Sequence, residues 1–395
     1  MTRDVVIVGA ARTAIGGFGG SLKDVPLSTL ATTVVKAALD RSAVEPDAVG
    51  HVAMGNVIPT EPKDAYLSRV AALKAGLPKE VPAFNVNRLC GSGLQAIVSA
   101  AQTILLGDCD IAIGAGAESM SRGPYLAPGM RWGQRMGDGR MVDYMVAALH
   151  DPFDDIHMGI TAENVAARHQ VSRDDQDALA AESHRRAAAA VAEGRFRSQI
   201  VPVEIKTRKG TVIFDTDEHV RPDTTVEALA KMKPVFKPDG SVTAGNASGI
   251  NDAAAAVVLA DAATAERKGL KPLARLVGYA HAGVEPDHMG IGPVPATRKV
   301  LARTGLTVAD LDVIESNEAF AAQACAVSRE LGFDPAKVNP NGSGISLGHP
   351  VGATGAILTI KAIHELHRTG GRYALVTMCI GGGQGIAAIF ERLGA

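Results

Sequence analysis

Cysteine is scarce in this sequence, with four residues at positions 90, 109, 325 and 379 of 395. So few, at such irregular spacing, do not make a disulfide framework. Charge of one sign is lacking too, since 40 Lys and Arg face 42 Asp and Glu for a formal net charge of −2. No whole-chain field therefore draws the protein to nucleic acid or to an anionic membrane. No run approaches the ~20 apolar residues that a membrane helix needs. The opening Val5-Val6-Ile7-Val8-Gly9 is too short to span and lacks a small-residue cleavage site, so it reads as a buried strand. Together these absences predict a cytoplasmic protein with neither a nucleic-acid nor a membrane partner.

Glycine is what the sequence has in excess. Its 43 residues in 395 stand well above the usual ~7%, and runs such as Gly16-Gly17 and Gly381-Gly382-Gly383 point to backbone-lined sites and tight turns. Short strand-like runs (Val5–Val8, Ile111–Ile113, Leu273–Val277, Asp312–Ile314, Ala374–Met378) alternate with helical patterns, which predicts an α/β architecture. After Cys90 the apolar residues Leu94, Ile97, Val98, Ala101, Ile104 and Leu105 recur at helical spacing until Gly107. A comparable unit follows His349-Pro350, with Ile357, Ile360, Ile363 and Leu366 closed by Gly370-Gly371, then a strand and another glycine-rich turn. A duplicated α/β domain is the economical explanation.

The stretch from about 120 to 250 differs. It holds the only Trp, many charges, strand candidates at Val201–Ile205 and Val212–Phe214, and one well-signalled helix that starts at Ser172 and Asp175 and stops at Gly194. Such an inserted, partly irregular region covers a site or makes subunit contacts.

Four segments carry chemistry. Cys90 lies in Asn87-Arg88-Leu89-Cys90-Gly91-Ser92-Gly93-Leu94, where a thiol before a helix meets the positive end of its dipole. Lowering a thiol pKa by two units takes about 2.7 kcal/mol, and a helix end supplies only ~0.3–1 kcal/mol. An activated Cys90 therefore needs a second partner; the other reading is a buried core cysteine. His349, in Gly348-His349-Pro350, is the candidate partner, because Pro350 suits a first helical turn and would place His349 at the cap. Cys379 precedes Ile380-Gly381-Gly382-Gly383-Gln384-Gly385 at a strand end, and that glycine run lacks the spacing and Lys of a phosphate loop. Asn317, after the strand Val313-Ile314, either holds a water or oxyanion or is a turn residue. Cys109 and Cys325 have apolar neighbours and read as core.

Taken together, NRLCGSGLQA (87–96), SNEAFAAQ (316–323), GISLGHPVGATGA (344–356) and CIGGGQG (379–385) resemble the four signature regions of thiolases, in order. GNASGIND (245–252) and HMGITAEN (157–164) add to the resemblance, which spans essentially the whole chain. The nearest likeness is to the short-chain β-ketothiolase, or acetyl-CoA acetyltransferase, of bacterial polyhydroxyalkanoate synthesis.

The resemblance implies a duplicated five-layer α/β/α/β/α fold with an inserted loop domain, and a homotetramer built as a dimer of dimers. Residues 1–120 with about 246–270 would form one half, 121–245 the loop domain and 271–395 the other half. It implies that Cys90 carries the acyl group and that Cys379 exchanges the α-proton. His349 and a water on Asn317 would serve the enolate oxygen, and the N–H groups of Cys90 and Gly381 the thioester oxygen. Coenzyme A would be substrate and product, with no tightly bound cofactor and no metal. Leu149, His157, Met158, Phe236 and Phe320 would form the apolar lining, Ala244 and Ser248 would meet the pantetheine, and Arg221 the nucleotide. Family members often carry Ser where this chain has Ala228, which removes one nucleotide hydrogen bond. Three alternatives remain. A degradative 3-ketoacyl-CoA thiolase would share the catalytic set, a ketoacyl synthase would lack the second cysteine, and a non-catalytic acyl-CoA or lipid carrier would be expected to lose one of the four.

Overall fold

The computed structural model describes residues 3–394. Apart from the two-residue strand Gly16–Gly17, which pairs with the start of Asn251–Asp261, its ten-stranded sheet divides into two runs of like connectivity. In the first, Val5–Arg12 pairs antiparallel with Asn251–Asp261, which pairs antiparallel with Ile111–Ser119. That strand runs parallel to His51–Gly55, and Ala83–Val86 closes the edge, again parallel. In the second, Ala274–Gly283 pairs antiparallel with Gln384–Arg392, which pairs antiparallel with Tyr373–Ile380, which runs parallel to Val313–Ser316. Apart from the extra edge strand, order and direction are the same. The duplication expected from the sequence is a property of the fold.

The two runs meet where Val6 and Ile7 pair with Arg275 and Ala274. Helix Leu27–Ser42 packs on the first run and Pro293–Thr304 on the second. Between the runs lie Ser92–Leu106 and Thr354–Thr369, which touch each other and strands of both runs. The layers therefore read α/β/α/β/α. A helix between two sheets must be apolar on every side, and ten residues of Ser92–Leu106 and twelve of Thr354–Thr369 are buried. The same requirement makes the 18 residues Leu89–Leu106 apolar enough to match a membrane span in length and composition, which was not expected from the sequence. Gly107 (φ +86°) and Gly370 (φ +75°) end these helices in the left-handed region, where a side chain would be strained.

Residues 120–250 are inserted between Ile111–Ser119 and Asn251–Asp261, whereas Gly381–Gly383 alone joins the corresponding strands of the second half. The insertion holds the helix Arg173–Ala192, with the reciprocal Ser172–Asp175 capping bonds that its sequence predicted, and the hairpin Val203–Thr207 with Gly210–Phe214. Trp132 lies within it, 92% exposed.

Candidate active site

Cys90 sits in a tightly tied turn between Ala83–Val86 and Ser92–Leu106. The Ser92 hydroxyl accepts from the Arg88 N–H at 2.8 Å and donates to the Leu89 carbonyl at 2.6 Å, while Asn87 Oδ1 accepts from the Leu89 N–H. Leu89 itself is left-handed, at φ +46°, a conformation that a bulky side chain adopts only where its surroundings enforce it. The backbone N–H groups of Gly381 and Cys90 pull the thiol pKa down, but burial outweighs them and raises it to about 11. The helix end alone does not hold a thiolate here, so activation of Cys90 calls for a second partner. Loss of solvent exceeds the dipole, and the resting residue is a thiol.

His349 is buried in the second half, and burial lowers its pKa to about 4, so the imidazole is neutral. It is not a helix cap, as the sequence suggested. Pro350 opens a turn whose carbonyl accepts from the N–H groups of Ala353 and Thr354, and the helix begins only at Thr354. Thr354 donates its hydroxyl to that carbonyl at 2.9 Å and lies 2.7 Å from His349 Nδ1. Its lone pairs are then left for an N–H on Nδ1, which makes Nε2 the free base. Asn251 Oδ1 accepts from the His349 N–H at 2.9 Å, and a Cβ on Gly348 would fall 2.4 Å from the Asn251 side chain.

Asn317, fully buried, brings Nδ2 to 3.5 and 3.4 Å of the two ring nitrogens of His349. Among the described residues its Oδ1 has no partner, and it is the kind of buried acceptor that an ordered water satisfies. Cys379 is wholly buried near the end of Tyr373–Ile380, and burial together with the neighbouring Cys90 drives its pKa far above the usual thiol value. Of the two remaining cysteines, Cys325 is buried as expected. Cys109 is only half-buried, at the end of a loop where Thr103 Oγ1 meets its sulfur at 3.4 Å.

Cys90 and His349 both face a cavity of about 410 Å³, a size typical of small-ligand sites. Leu149, His157, Met158, Phe236 and Phe320 form its apolar wall, and Ala244 and Ser248 lie along it. Phe236 stacks on His157 at 4.6 Å, which requires Gly159, since a Cβ there would strike the Phe236 ring at 2.3 Å. His157 Nδ1 accepts from the Gly159 N–H, and burial lowers the His157 pKa to about 4. Arg221 does not line the cavity. It is exposed and donates its N–H to His184 Nδ1. Gly381 borders a recess of only about 20 Å³ beside Cys90, formed with Val57, Ile58, Leu89 and Val351.

Residues 5–263 match the thiolase N-terminal domain, and residues 270–392 the thiolase C-terminal domain. The chain belongs to the thiolase family. It is 69% identical over 394 residues to the beta-ketothiolase BktB of Cupriavidus necator, covering 100% of both chains. The crystal structure of the Bacillus anthracis acetyl-CoA acetyltransferase superposes with a TM-score of 0.97 at 48% identity and 99% coverage of each chain. Human mitochondrial 3-ketoacyl-CoA thiolase in complex with CoA does so with a TM-score of 0.96 at 44% identity, covering 99% of this chain and 98% of that one.

In this thiolase several cavity residues went unread in the sequence. Met120, Ile250, Met289 and Val351 complete the wall around Cys90. Val351, inside the glycine-rich stretch after His349, and Ile250, inside GNASGIND (245–252), lay in segments already singled out, though without a role. Met289 sits in a short polar stretch, Pro286–Ile291, that no periodicity marks.

Proposed function

We propose that this thiolase is an acetyl-CoA acetyltransferase of the short-chain β-ketothiolase type, catalysing reversible Claisen condensation of acyl-CoA thioesters through an S-acyl Cys90. The observation that carries the reading is the convergence of a cysteine from one half and a neutral imidazole from the other on one apolar cavity, with a second cysteine buried against the first. Nε2 of His349 takes the Cys90 proton as the thiolate attacks the thioester carbonyl, and the expelled CoA thiolate leaves with the Cys379 proton, which makes Cys379 the base for the next step. The N–H groups of Cys90 and Gly381 receive the tetrahedral oxyanion. Cys379 then removes an α-proton from a second acyl-CoA, whose enolate oxygen is met by His349 and a water on Asn317. The carbanion attacks the acyl carbonyl and Cys90 is released. This route moves protons and acyl groups alone and calls on no metal or redox group.

The cavity walls suit a pantetheine arm, with Ala244 and Ser248 beside it and Arg221 outside for the nucleotide. The recess of about 20 Å³ beside Cys90 holds about one water-sized group, which favours short acyl chains over the degradative reading. We also infer a division into 1–120 with 246–270, 121–245 and 271–395, a cytoplasmic homotetramer, and subunit contacts through Arg122–Val142. Steady-state thiolysis of 3-ketoacyl-CoAs of increasing length tests the assignment. Rates should be highest for the shortest substrates and fall as the chain lengthens, alongside an acetyl adduct on the Cys90 peptide. A preference for long chains, or an adduct on another cysteine, would refute it.

A further inference from the structure

Glu118 is the penultimate residue of the buried strand Ile111–Ser119 and is itself inaccessible to solvent. Its Oε1 accepts from Asn56 Nδ2 and from the Ile58 N–H, both at 3.0 Å. Its Oε2 accepts from the Val57 N–H at 3.0 Å and from the Gly352 N–H at 2.9 Å. No Arg or Lys pairs with it, and a buried carboxylate without a cation is costly enough to need a reason. Burial pushes its pKa up, to about 8, yet all four partners are donors. A protonated oxygen would lose a bond and face an N–H, so the geometry demands the carboxylate.

The donors come from two halves of the molecule. Asn56, Val57 and Ile58 follow the strand His51–Gly55, and Val57 and Ile58 border the recess beside Cys90. Gly352 belongs to the turn that carries His349 in the other half. That turn is pressed onto the first half backbone to backbone. A Cβ on Gly352 would lie 2.5 Å from Glu118 Oε2, and one on Gly116 would lie 2.3 Å from the Gly352 carbonyl oxygen.

Strand register gives Glu118 a counterpart. In the first half Gly55 pairs with Gly116, and Asn56 and Glu118 stand one and two residues beyond. In the second half Ser316 pairs with Thr377, and Asn317 and Cys379 stand one and two residues beyond. Asn56 and Glu118 thus hold in one half the places that Asn317 and Cys379 hold in the other. We propose that Glu118 is a positioning residue for acyl transfer, a carboxylate clamp that locks the His349 turn of one half to the Asn56–Ile58 turn of the other and so sets the imidazole against Cys90. The proposal rests on the roles given above to Cys90 and His349.

Glu118→Gln tests it, because an amide would turn its NH₂ toward two N–H donors and release the clamp. Folding is checked by circular dichroism and gel filtration, and turnover by thiolysis of acetoacetyl-CoA. Cys90 reactivity is followed as the pH profile of its alkylation by iodoacetamide. A displacement near 1 Å costs on the order of a hundredfold in rate, so kcat should fall by about that factor while KM moves by less than about threefold. The alkylation profile should move to lower pH, since the Glu118 charge is among the influences that hold the Cys90 thiol protonated. A folded variant with kcat within about threefold of wild type overturns the proposal, as does a lost kcat with an unmoved profile. Should that variant not fold, Glu118→Asp keeps the charge and shortens the reach. Reduced kcat with an unmoved profile then supports the clamp, whereas wild-type kcat, or failure of both variants to fold, overturns it. His349→Ala run alongside separates the two ideas. If it retains wild-type kcat the role of His349 fails, and if it is inactive while folded Glu118→Gln is active only the clamp fails.

Discussion

After Ile111–Ser119 the chain runs through residues 120–250 before returning as Asn251–Asp261. After Tyr373–Ile380, the counterpart strand, it returns at once across Gly381–Gly383. The same sheet thus tolerates a long insertion at one place and a minimal turn at its equivalent. The long connection provides most of the cavity wall, including His157, Met158 and Phe236. The short one brings the Gly381 N–H up to the Cys90 sulfur. Duplication kept the framework, and divergence of one connection made half of it a cover and the other half a floor. At the matched strand ends the same split recurs, with a clamp at Asn56 and Glu118 and reactive groups at Asn317 and Cys379.

The sharpest way to break this contrast is to remove one cysteine from each half. Cys90→Ala should abolish acyl-enzyme formation, since Cys109 and Cys325 do not line the cavity and the wholly buried Cys379 is assigned to the proton-transfer step. Cys379→Ser should still acquire an acetyl group on Cys90 but condense at least ~100-fold more slowly, because a hydroxyl is a far weaker base. Mass spectrometry of the acyl peptide reads the first step, and exchange of acetyl-CoA α-protons with solvent reads the second. Wild-type exchange in Cys379→Ser would mean that the two halves do not divide the steps in this way.

A smaller effect lies at the seam, where His349 of the second half is buried against the first. The folded imidazole stays neutral to about pH 4, whereas an unfolded one titrates near ~6.5. Between those values the unfolded chain binds a proton that the folded chain does not, so this contribution to stability is full above the upper value and is lost as pH falls toward the lower. The limit is roughly 3 kcal/mol. His349→Gln lacks the term, so the stability of wild type relative to the variant should decline between pH 7 and 4.5, measured by urea unfolding at fixed protein concentration. A difference that stays constant over that window would show an imidazole in contact with water.

How much of this was legible beforehand follows from sequence distance. The central helices, their glycine stops and the Ser172–Asp175 cap were readable because each is set by residues a few positions apart. The position of His349 relative to its helix was misjudged, since a proline opens a turn as readily as a helix and only the Thr354 and Pro350 contacts decide. Glu118 was unreadable, because its partners lie 60, 61, 62 and 234 positions away. Asn251 was quoted within a resembling segment without a role, and its bond to the His349 backbone spans 98 positions.

The smallest effects return to the two connections themselves, and they should differ in kind. Gly382 has φ +77° with no atom within 4 Å of where a Cβ would lie. Gly382→Ala therefore meets no clash and carries only the left-handed backbone penalty, about 1 kcal/mol. Unfolding in urea should shift by that amount while light scattering records an unchanged assembly. Shortening Arg122–Val142 should do the reverse. Trp132, Met136 and Met141 there are 92%, 83% and 65% exposed, so their removal takes little from the packing of one subunit. A cluster of apolar side chains held out in this way suits a contact with another subunit, and the shortened protein should scatter as a smaller assembly with an almost unaltered unfolding midpoint. A shortened protein whose scattering is unchanged would leave the insertion as a cover for the cavity alone. A large loss of stability would place those side chains against their own subunit. Only the paired outcome, strain without reassembly in the turn and reassembly without strain in the insertion, keeps the distinction between the halves.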